Sequence, residues 1–566
     1  MQRIPSNMRY FFLFSLLFSL NTTFSQCDTT RYTEGVFTSV TQFPDVLYGQ
    51  AQVWNIPYND TDLYMDIYVP TGDVQTKRPL MIWCHPGGFL LGDKSADDMV
   101  ALCDSFARKG FVTASIGYRK GFNPLSQSSA VRAVYRGTQD ARAAIRYLKE
   151  FATTYGIDTN YTFVGGSSAG GFMALHTAYL TDAEAPSDIQ GGFGYPALGC
   201  LDCSGNTYSH NMDLTGIINL WGALGDSNYV EINETVPALL IHGEADGTVP
   251  IGTGNPFGVF TTPIVNGSRP ISNQLTSLGI PHTFLPFAGQ DHEFHGADNG
   301  TFNSPPNAYW DTILNAIQSH VYPLLKPENP SIAGDLLICL GETVTYVITG
   351  NMGETYCSEV TNGTLISDWG DSIQVQWNTI GVGEIKTFAF NSIHAASDKV
   401  IYQVNVVPLP DATFTAGING LIVNFNPNTL VLSSQYTWQI DASIVNTSNT
   451  IYSFTTSGTY PITLTIVDTN MCSSTSTQTL VLTVNSLTEN YLNNVVLYPN
   501  PANDFVSIEN GAGGNLIVQD HTGRVVLNKK IQSENHQVDI SALNSGLYFV
   551  KIVFDGAVKN ARFIKN

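Results

Sequence analysis

Apolar and polar positions fall into distinct textures along the chain. From about residue 29 to 326, short apolar runs alternate with stretches of helical periodicity. Residues 36–55 and 63–70 read as an opening set of antiparallel strands. Residues 79–84 form a continuous apolar run, the pattern of a strand buried on both faces. Residues 96–109 read as helix and 111–116 as strand. Val131, Val134, Tyr135, Thr138, Ile145 and Leu148 recur near helical spacing. Arg132, Arg136, Arg142 and Arg146 on that helix are expected to form its solvated face. Strands follow at 161–164, 217–220, 238–241 and 283–287, and a closing helix at 309–321. The alternation predicts a mostly parallel sheet with helices on both faces.

Pro323, Pro327 and Pro330 mark a linker, and the texture then changes. Up to about residue 485 the chain is rich in Thr, Val, Ile, Ser and Asn, in short alternating runs broken by turn residues. This predicts β-sandwich modules, which Pro408-Leu409-Pro410 divides into units at 327–407 and 408–486 with the expected role of spacers. Residues 487–566 read as one more small β-sandwich, with tight turns at Pro499-Asn500-Pro501 and Thr522-Gly523. At the other end, Arg3 and Arg9 flank or precede an apolar run over 10–20. That run is too short for a bilayer span of ~20 residues. Residues 1–26 therefore read as a secretory signal, and the catalytic candidate occupies 27–326.

Composition narrows the partners. A net charge of −21 and a pI near 4.7 argue against nucleic acid or an anionic membrane. No apolar run beyond the N-terminus is long enough to cross a membrane. An exported chain with 8 cysteines is expected to pair some of them. Cys200-Leu201-Asp202-Cys203 is expected to be a loop disulfide; no second such pair and no histidines at zinc spacing stand beside it.

The chemistry concentrates around Gly166-Ser167-Ser168-Ala169-Gly170, between the strand at 161–164 and a helical run from Phe172. Strand, glycine-flanked serine and helix make the context of a nucleophile elbow, with Ser168 at its tip. His85-Pro86-Gly87-Gly88 directly follows the 79–84 strand and can aim backbone N–H groups at an oxyanion. Pro86 has no N–H, which leaves Gly87 and Gly88 as donors, joined by Ala169 after the nucleophile. The strand at 238–241 leads into His242-Gly243-Glu244-Ala245-Asp246-Gly247-Thr248-Val249-Pro250, which resembles the acid-bearing loop of esterases and lipases; that resemblance implies Asp246 as the acid ahead of Glu244 and Asp226. The strand at 283–287 leads into Gly289-Gln290-Asp291-His292-Glu293-Phe294-His295, which resembles the Gly-x-x-His-x-Phe segment that carries the base in such esterases; the match of Gly289 and Phe294 implies His292 ahead of His295.

Together these motifs resemble the α/β-hydrolase fold of the carboxylesterase/lipase superfamily, nearest to its hormone-sensitive-lipase-like and feruloyl/acetyl esterase branches. The resemblance covers the N-terminal segment. It implies a Ser168–His292–Asp246 triad with an oxyanion hole of Gly87, Gly88 and Ala169, an ester substrate, and no metal or organic cofactor. Acyl esters of plant polysaccharides are a substrate class expected by analogy. Two alternatives stay open: a serine peptidase of the prolyl-oligopeptidase kind, and a catalytically inactive surface-binding protein. Residues 338–346 and 371–377 resemble Ig folds of the polycystic-kidney-disease type found in bacterial surface proteins. Leu497-Tyr498-Pro499-Asn500-Pro501-Ala502, Asp520-His521-Thr522-Gly523-Arg524 and Leu543-Asn544-Ser545-Gly546-Leu547-Tyr548 resemble the type IX secretion C-terminal sorting domain. That resemblance implies the type IX machinery as a partner and a secreted or cell-surface location.

Overall fold

A computed structural model describes residues 27–566 apart from 193, 234, 304, 484–493 and 555–556. The expected signal segment and the expected boundary near 486 lie outside the described residues. The chain divides at Pro408 into two compact units.

In the first unit, eight strands form one sheet: β1 (Val40–Gln52), β2 (Asp60–Pro70), β3 (Arg78–Cys84), β4 (Val112–Ile116), β5 (Ile157–Ser167), β6 (Gly216–Leu220), β7 (Ala238–Gly243) and β10 (His282–Phe287). Their order is β1-β2-β4-β3-β5-β6-β7-β10. β1, β2 and β4 pair antiparallel, and every pairing from β4 to β10 is parallel. The helices are α1 (Asp97–Arg108), α2 (Gln127–Glu150), the short α3 (Ala152–Tyr155), α4 (Ala169–Tyr179), α5 (Ser268–Leu278) and α6 (Tyr309–Leu325). A two-residue pair, β8 (Thr253–Gly254) and β9 (Val265–Asn266), closes a strap beyond β7.

Strand side chains alternate between faces, so a sheet covered twice needs apolar residues at every position. β3 does this: Leu80, Ile82 and Cys84 enter one core with Val164, while Met81 and Trp83 enter the other with Phe163.

The α2 arginines are not a solvated face. Arg132, Arg136 and Arg146 are buried and bound to the loops that pack over the helix. Arg132 donates to the carbonyls of Asp188 and Gln190, and Arg136 to that of Gly121. Arg142 and Arg146 both grip Asp202. A buried guanidinium needs partners, and these backbone carbonyls and one carboxylate supply them. Cys200 and Cys203 are joined as a disulfide in the same loop.

Residues 331–407 form a sandwich of two four-stranded sheets around Trp377, whose indole donates to Tyr346 Oη. It is not a detached spacer. Ile393 and Ala395, fully buried, belong to the same core as Trp83, Phe106 and Phe111. Tyr32 Oη donates to Ile393 O at 2.6 Å, and Ser392 Oγ to Asp158 at 2.9 Å. A disulfide between Cys27 and Cys357 ties the start of the described chain to this sandwich.

The second unit contains a sandwich over 414–482 packed on Trp438 and another over 496–565 packed on Val518, Val550 and Phe563. Among the described residues no helix is long and apolar enough to cross a membrane.

Candidate active site

β5 delivers its last residue, Ser167, directly into an elbow. Ser168 has φ 54° and ψ −115° and immediately precedes α4 at its N-cap. Such a conformation costs a non-glycine residue of order 1–3 kcal/mol and persists only where packing enforces it. The flanking glycines show the enforcement. A Cβ on Gly166 would collide with the backbone of Gly170, and one on Gly170 with the carbonyl of Cys84. Ser168 N–H donates to Leu220 O at 2.9 Å, anchoring the elbow to the neighbouring strand.

His292, on the loop after β10, places Nε2 2.8 Å from Ser168 Oγ and Nδ1 2.7 Å from Asp246 Oδ2. A carboxylate only accepts, so Nδ1 carries the proton and Nε2 is free to accept from the serine hydroxyl. The side chain of Asp246, on the loop after β7, is fully buried. Its Oδ1 accepts from Thr248 and Val249 N–H, each at 2.8 Å. Burial alone would raise this carboxyl, but hydrogen bonds from His242 and His292 outweigh it and hold it well below the usual carboxylate range.

Two supporting residues escaped sequence reasoning. His242 Nε2 lies 3.3 Å from Asp246 Oδ2 and 2.9 Å from Val249 O. Its Nδ1 accepts from Ser268 Oγ, which in turn accepts from Asn219 at 3.0 Å. Asp291 Oδ1 accepts from both Gly247 N–H and His292 N–H, joining the acid loop to the base loop. His242 stands inside the quoted acid motif, so the motif carried the signal; Asp291 left none beyond adjacency to His292.

The rivals lie elsewhere. Glu244 pairs with Arg269, and Asp226 accepts from Asn228 N–H. His295 is buried between Trp221 and Trp310, stacked on both, and burial pushes it down to about 4.

Gly87 and Gly88 have φ of +117° and +60°. A Cβ on Gly87 would collide with the Leu91 carbonyl. Gly88 and Ala169 line the cavity that opens on Ser168, whereas Gly87 is not among its lining residues. Ala169 stands in the first turn of α4, where N–H groups lack helical partners and the helix dipole is positive. His85 supports this loop from below: its ring stacks on Tyr118 at 4.1 Å, and its carbonyl accepts from Tyr118 Oη.

The cavity holds about 210 Å³ and is walled by groups such as Phe89, Val134, Phe172, Leu180, Tyr229 and Phe257. Among the described residues, no carboxylate, lysine or arginine lines it. His176 does, but burial lowers it to about 4, so it is neutral there. Its Nδ1 donates to Phe172 O and its Nε2 accepts from Gly225 N–H. The strap contributes Pro256 and Phe257, whereas none of the described residues in 191–210 lines the cavity; that loop packs on α2, where Gln139 donates to the carbonyls of Leu198 and Cys200.

Comparison with known proteins divides along the chain. Residues 65–224 match the BD-FAE family, and residues 496–566 match the secretion system C-terminal sorting domain. The first match includes Gly87, Gly88, Ser168 and Ala169 and ends before Asp246 and His292. Carboxylesterase 3B of Mus musculus is 34% identical over 134 residues, 23% of this chain and 22% of the relative. Bile salt-activated lipase of Homo sapiens is 33% identical over 123 residues, 20% of this chain and 16% of the relative. The chain thus spans about a fifth of the length of the curated relatives it matches. Esterase 2 of Thermogutta terrifontis, solved in a paraoxon-phosphorylated form, is 22% identical, covering 48% of this chain and 90% of that one with a TM-score of 0.33. The chain is therefore esterase-like over residues 65–224, and its C-terminal sorting domain marks it for type IX secretion to the cell surface or the extracellular space.

Proposed function

We propose that this chain is an exported carboxylic ester hydrolase that works through a Ser168–His292–Asp246 triad and an acyl-enzyme. The observation that carries the reading is the continuous hydrogen-bonded line from Ser168 Oγ through His292 to Asp246, at 2.8 and 2.7 Å. His292 Nε2 takes the hydroxyl proton as Ser168 Oγ attacks the ester carbonyl. Asp246, kept ionised, orients the ring and stabilises the imidazolium. The developing oxyanion is held by N–H groups of Ala169 and Gly88, with Gly87 shaping the turn that presents them. One such donor is worth ~3 kcal/mol in the transition state. The tetrahedral intermediate collapses, and the alcohol leaves with the proton from His292. Water, deprotonated by the same nitrogen, then releases the acid and restores Ser168.

The uncharged, aromatic-walled cavity suits an apolar acyl or alcohol group. Acyl esters on plant polysaccharides fall within this reading as one substrate class. The test is turnover of a panel: p-nitrophenyl esters of rising chain length, acetylated xylan, feruloyl esters and peptide anilides, with Ser168→Ala as control. Ester turnover lost in Ser168→Ala supports the reading. Peptide turnover without ester turnover would replace it with a serine peptidase.

A further inference from the structure

Glu293 directly follows His292 and is buried, 6% exposed. Its φ of +47° is a left-handed conformation that glycine takes freely and a glutamate does not. His292 reaches forward to Ser168, whereas the Glu293 carboxylate accepts from the N–H groups of Asn299 and Gly300, at the tip of a hairpin formed by 297–298 and 301–302. Gly300 O accepts in turn from Asp98 N–H at 3.1 Å, in the first turn of α1. The packing there is close: a Cβ on Gly300 would stand 2.7 Å from Asp98 Oδ1. Asp98 is 1% exposed and its Oδ2 has no hydrogen-bond partner; His295 Nε2 lies 3.9 Å from that oxygen. Among the described residues no lysine or arginine is paired with either carboxyl. Trp221, fully buried, meets the His292 ring edge-to-face at 6.3 Å and stacks on His295 at 4.9 Å.

Two buried carboxyls without a resident cation are costly, and neighbouring carboxyls do not both ionise readily. Burial, and next the charge of Glu293, push Asp98 far above the usual carboxylate range, so the proton stays on Asp98. Burial also raises Glu293, but the charge of His292 and the two backbone N–H bonds draw it back. The negative charge of the pair therefore resides on Glu293. The cation it answers exists only while His292 holds the Ser168 proton. We propose that Glu293 is a positioning residue for the base, a buried counter-charge that stabilises the His292 imidazolium alongside Asp246. Glu293 does not line the Ser168 cavity, so it acts through His292. A fixed charge placed where charge develops costs no rearrangement at the moment of reaction. The proposal rests on the esterase reading above and adds a second anion to its base. The other ionisable groups around the two residues are Asp246 and Asp291 at His292, Asp97 and Asp98 on α1, Asp298 on the hairpin, and His295.

The test follows p-nitrophenyl acetate turnover by the full chain across about pH 5–8, with Ser168→Ala as control. The base must be neutral to accept a proton, so the rate falls on the acid side. Glu293→Gln keeps an oxygen for the Asn299 and Gly300 N–H groups and removes the charge. Glu293→Gly removes the charge and suits the left-handed backbone. In both variants the acid limb of kcat/KM should move about one unit to lower pH and the plateau kcat fall about tenfold, with KM within about twofold. Asp98→Asn, which replaces a neutral acid by a neutral amide, should leave the limb in place. A residue that only clasped the hairpin would leave the Glu293→Gln profile on that of the parent. Profiles of both Glu293 variants superimposed on the parent's would overturn the proposal. So would an acid limb moved as far by Asp98→Asn, because the charge would then sit on Asp98. Ester turnover retained by Ser168→Ala would strike the esterase reading itself, and the counter-charge with it.

Discussion

His242 Nε2 lies 3.3 Å from Asp246 Oδ2, with both side chains fully buried. The carboxylate proposed as the triad acid therefore has histidines on two sides, His292 toward Ser168 and His242 toward Ser268. The inner histidine is fixed by Ser268 and Val249, so it holds Asp246 in place rather than taking part in proton transfer. Hydrogen bonds to a charged group are worth about 1.5–3 kcal/mol. His242→Ala is expected to lower kcat by about 10- to 100-fold with KM within about threefold. Steady-state kinetics on a soluble ester checks this, and an unchanged kcat would remove His242 from the account.

The elbow allows a sharper steric prediction. Gly170→Ala drives a methyl group into the carbonyl of Cys84 at the end of β3, the strand beside β5. Neither backbone can retreat, because the first turn of α4 and the end of β3 are both buried. The variant should lose several kcal/mol of stability, more than the ~1–3 kcal/mol usual for overpacking, read as a fall in the denaturant midpoint. Gly258→Ala, with open space around it and a positive φ, should cost only the left-handed backbone penalty of about 1–2 kcal/mol.

The sandwich over 331–407 should be required by the hydrolase sheet. Ile393 is fully buried in the core that contains Trp83 and Phe111. Ile393→Ala is expected to cost about 2–5 kcal/mol, and a chain ending at 326 to be much less stable than one ending at 408. Thermal unfolding of the two truncations decides this; equal midpoints would return the sandwich to the role of spacer.

Acid should weaken the fold through buried neutral histidines. His176 ordinarily titrates near 6.5 and is lowered by burial to about 4 in the folded chain. Between those values the unfolded state binds more protons, so stability is complete above about 6.5 and is lost as pH falls toward 4. One histidine contributes a slope of about 1.4 kcal/mol per pH unit. Asp98, raised by burial, opposes this with the reverse slope. Comparing His176→Gln with the parent isolates the term: denaturation across that range should show a flatter pH dependence by about that amount.

Much of the architecture was legible because it is locally encoded. β3 announces itself as an unbroken apolar run because both faces of its sheet are covered. Ser168, Asp246 and His292 stand just after strands, where short motifs survive as sequence. The α2 arginines misled because their spacing is the same whether the face meets water or a loop. Their true partners, Asp202 and the carbonyls of Asp188 and Gln190, lie 50–70 residues away in sequence. Asp291 was missed because its job, bridging Gly247 to His292, exists only once two loops meet. The burial of Ile393 depends on a contact across more than 300 residues, with Tyr32.

The central claim is that Ser168 Oγ is the nucleophile. A fluorophosphonate, which traps activated serines covalently, followed by peptide mass spectrometry, tests it most directly. One adduct is expected, on Ser168, and its rate of formation should fall sharply in His292→Ala. An adduct on another residue, or undiminished labelling in Ser168→Ala, would contradict the account.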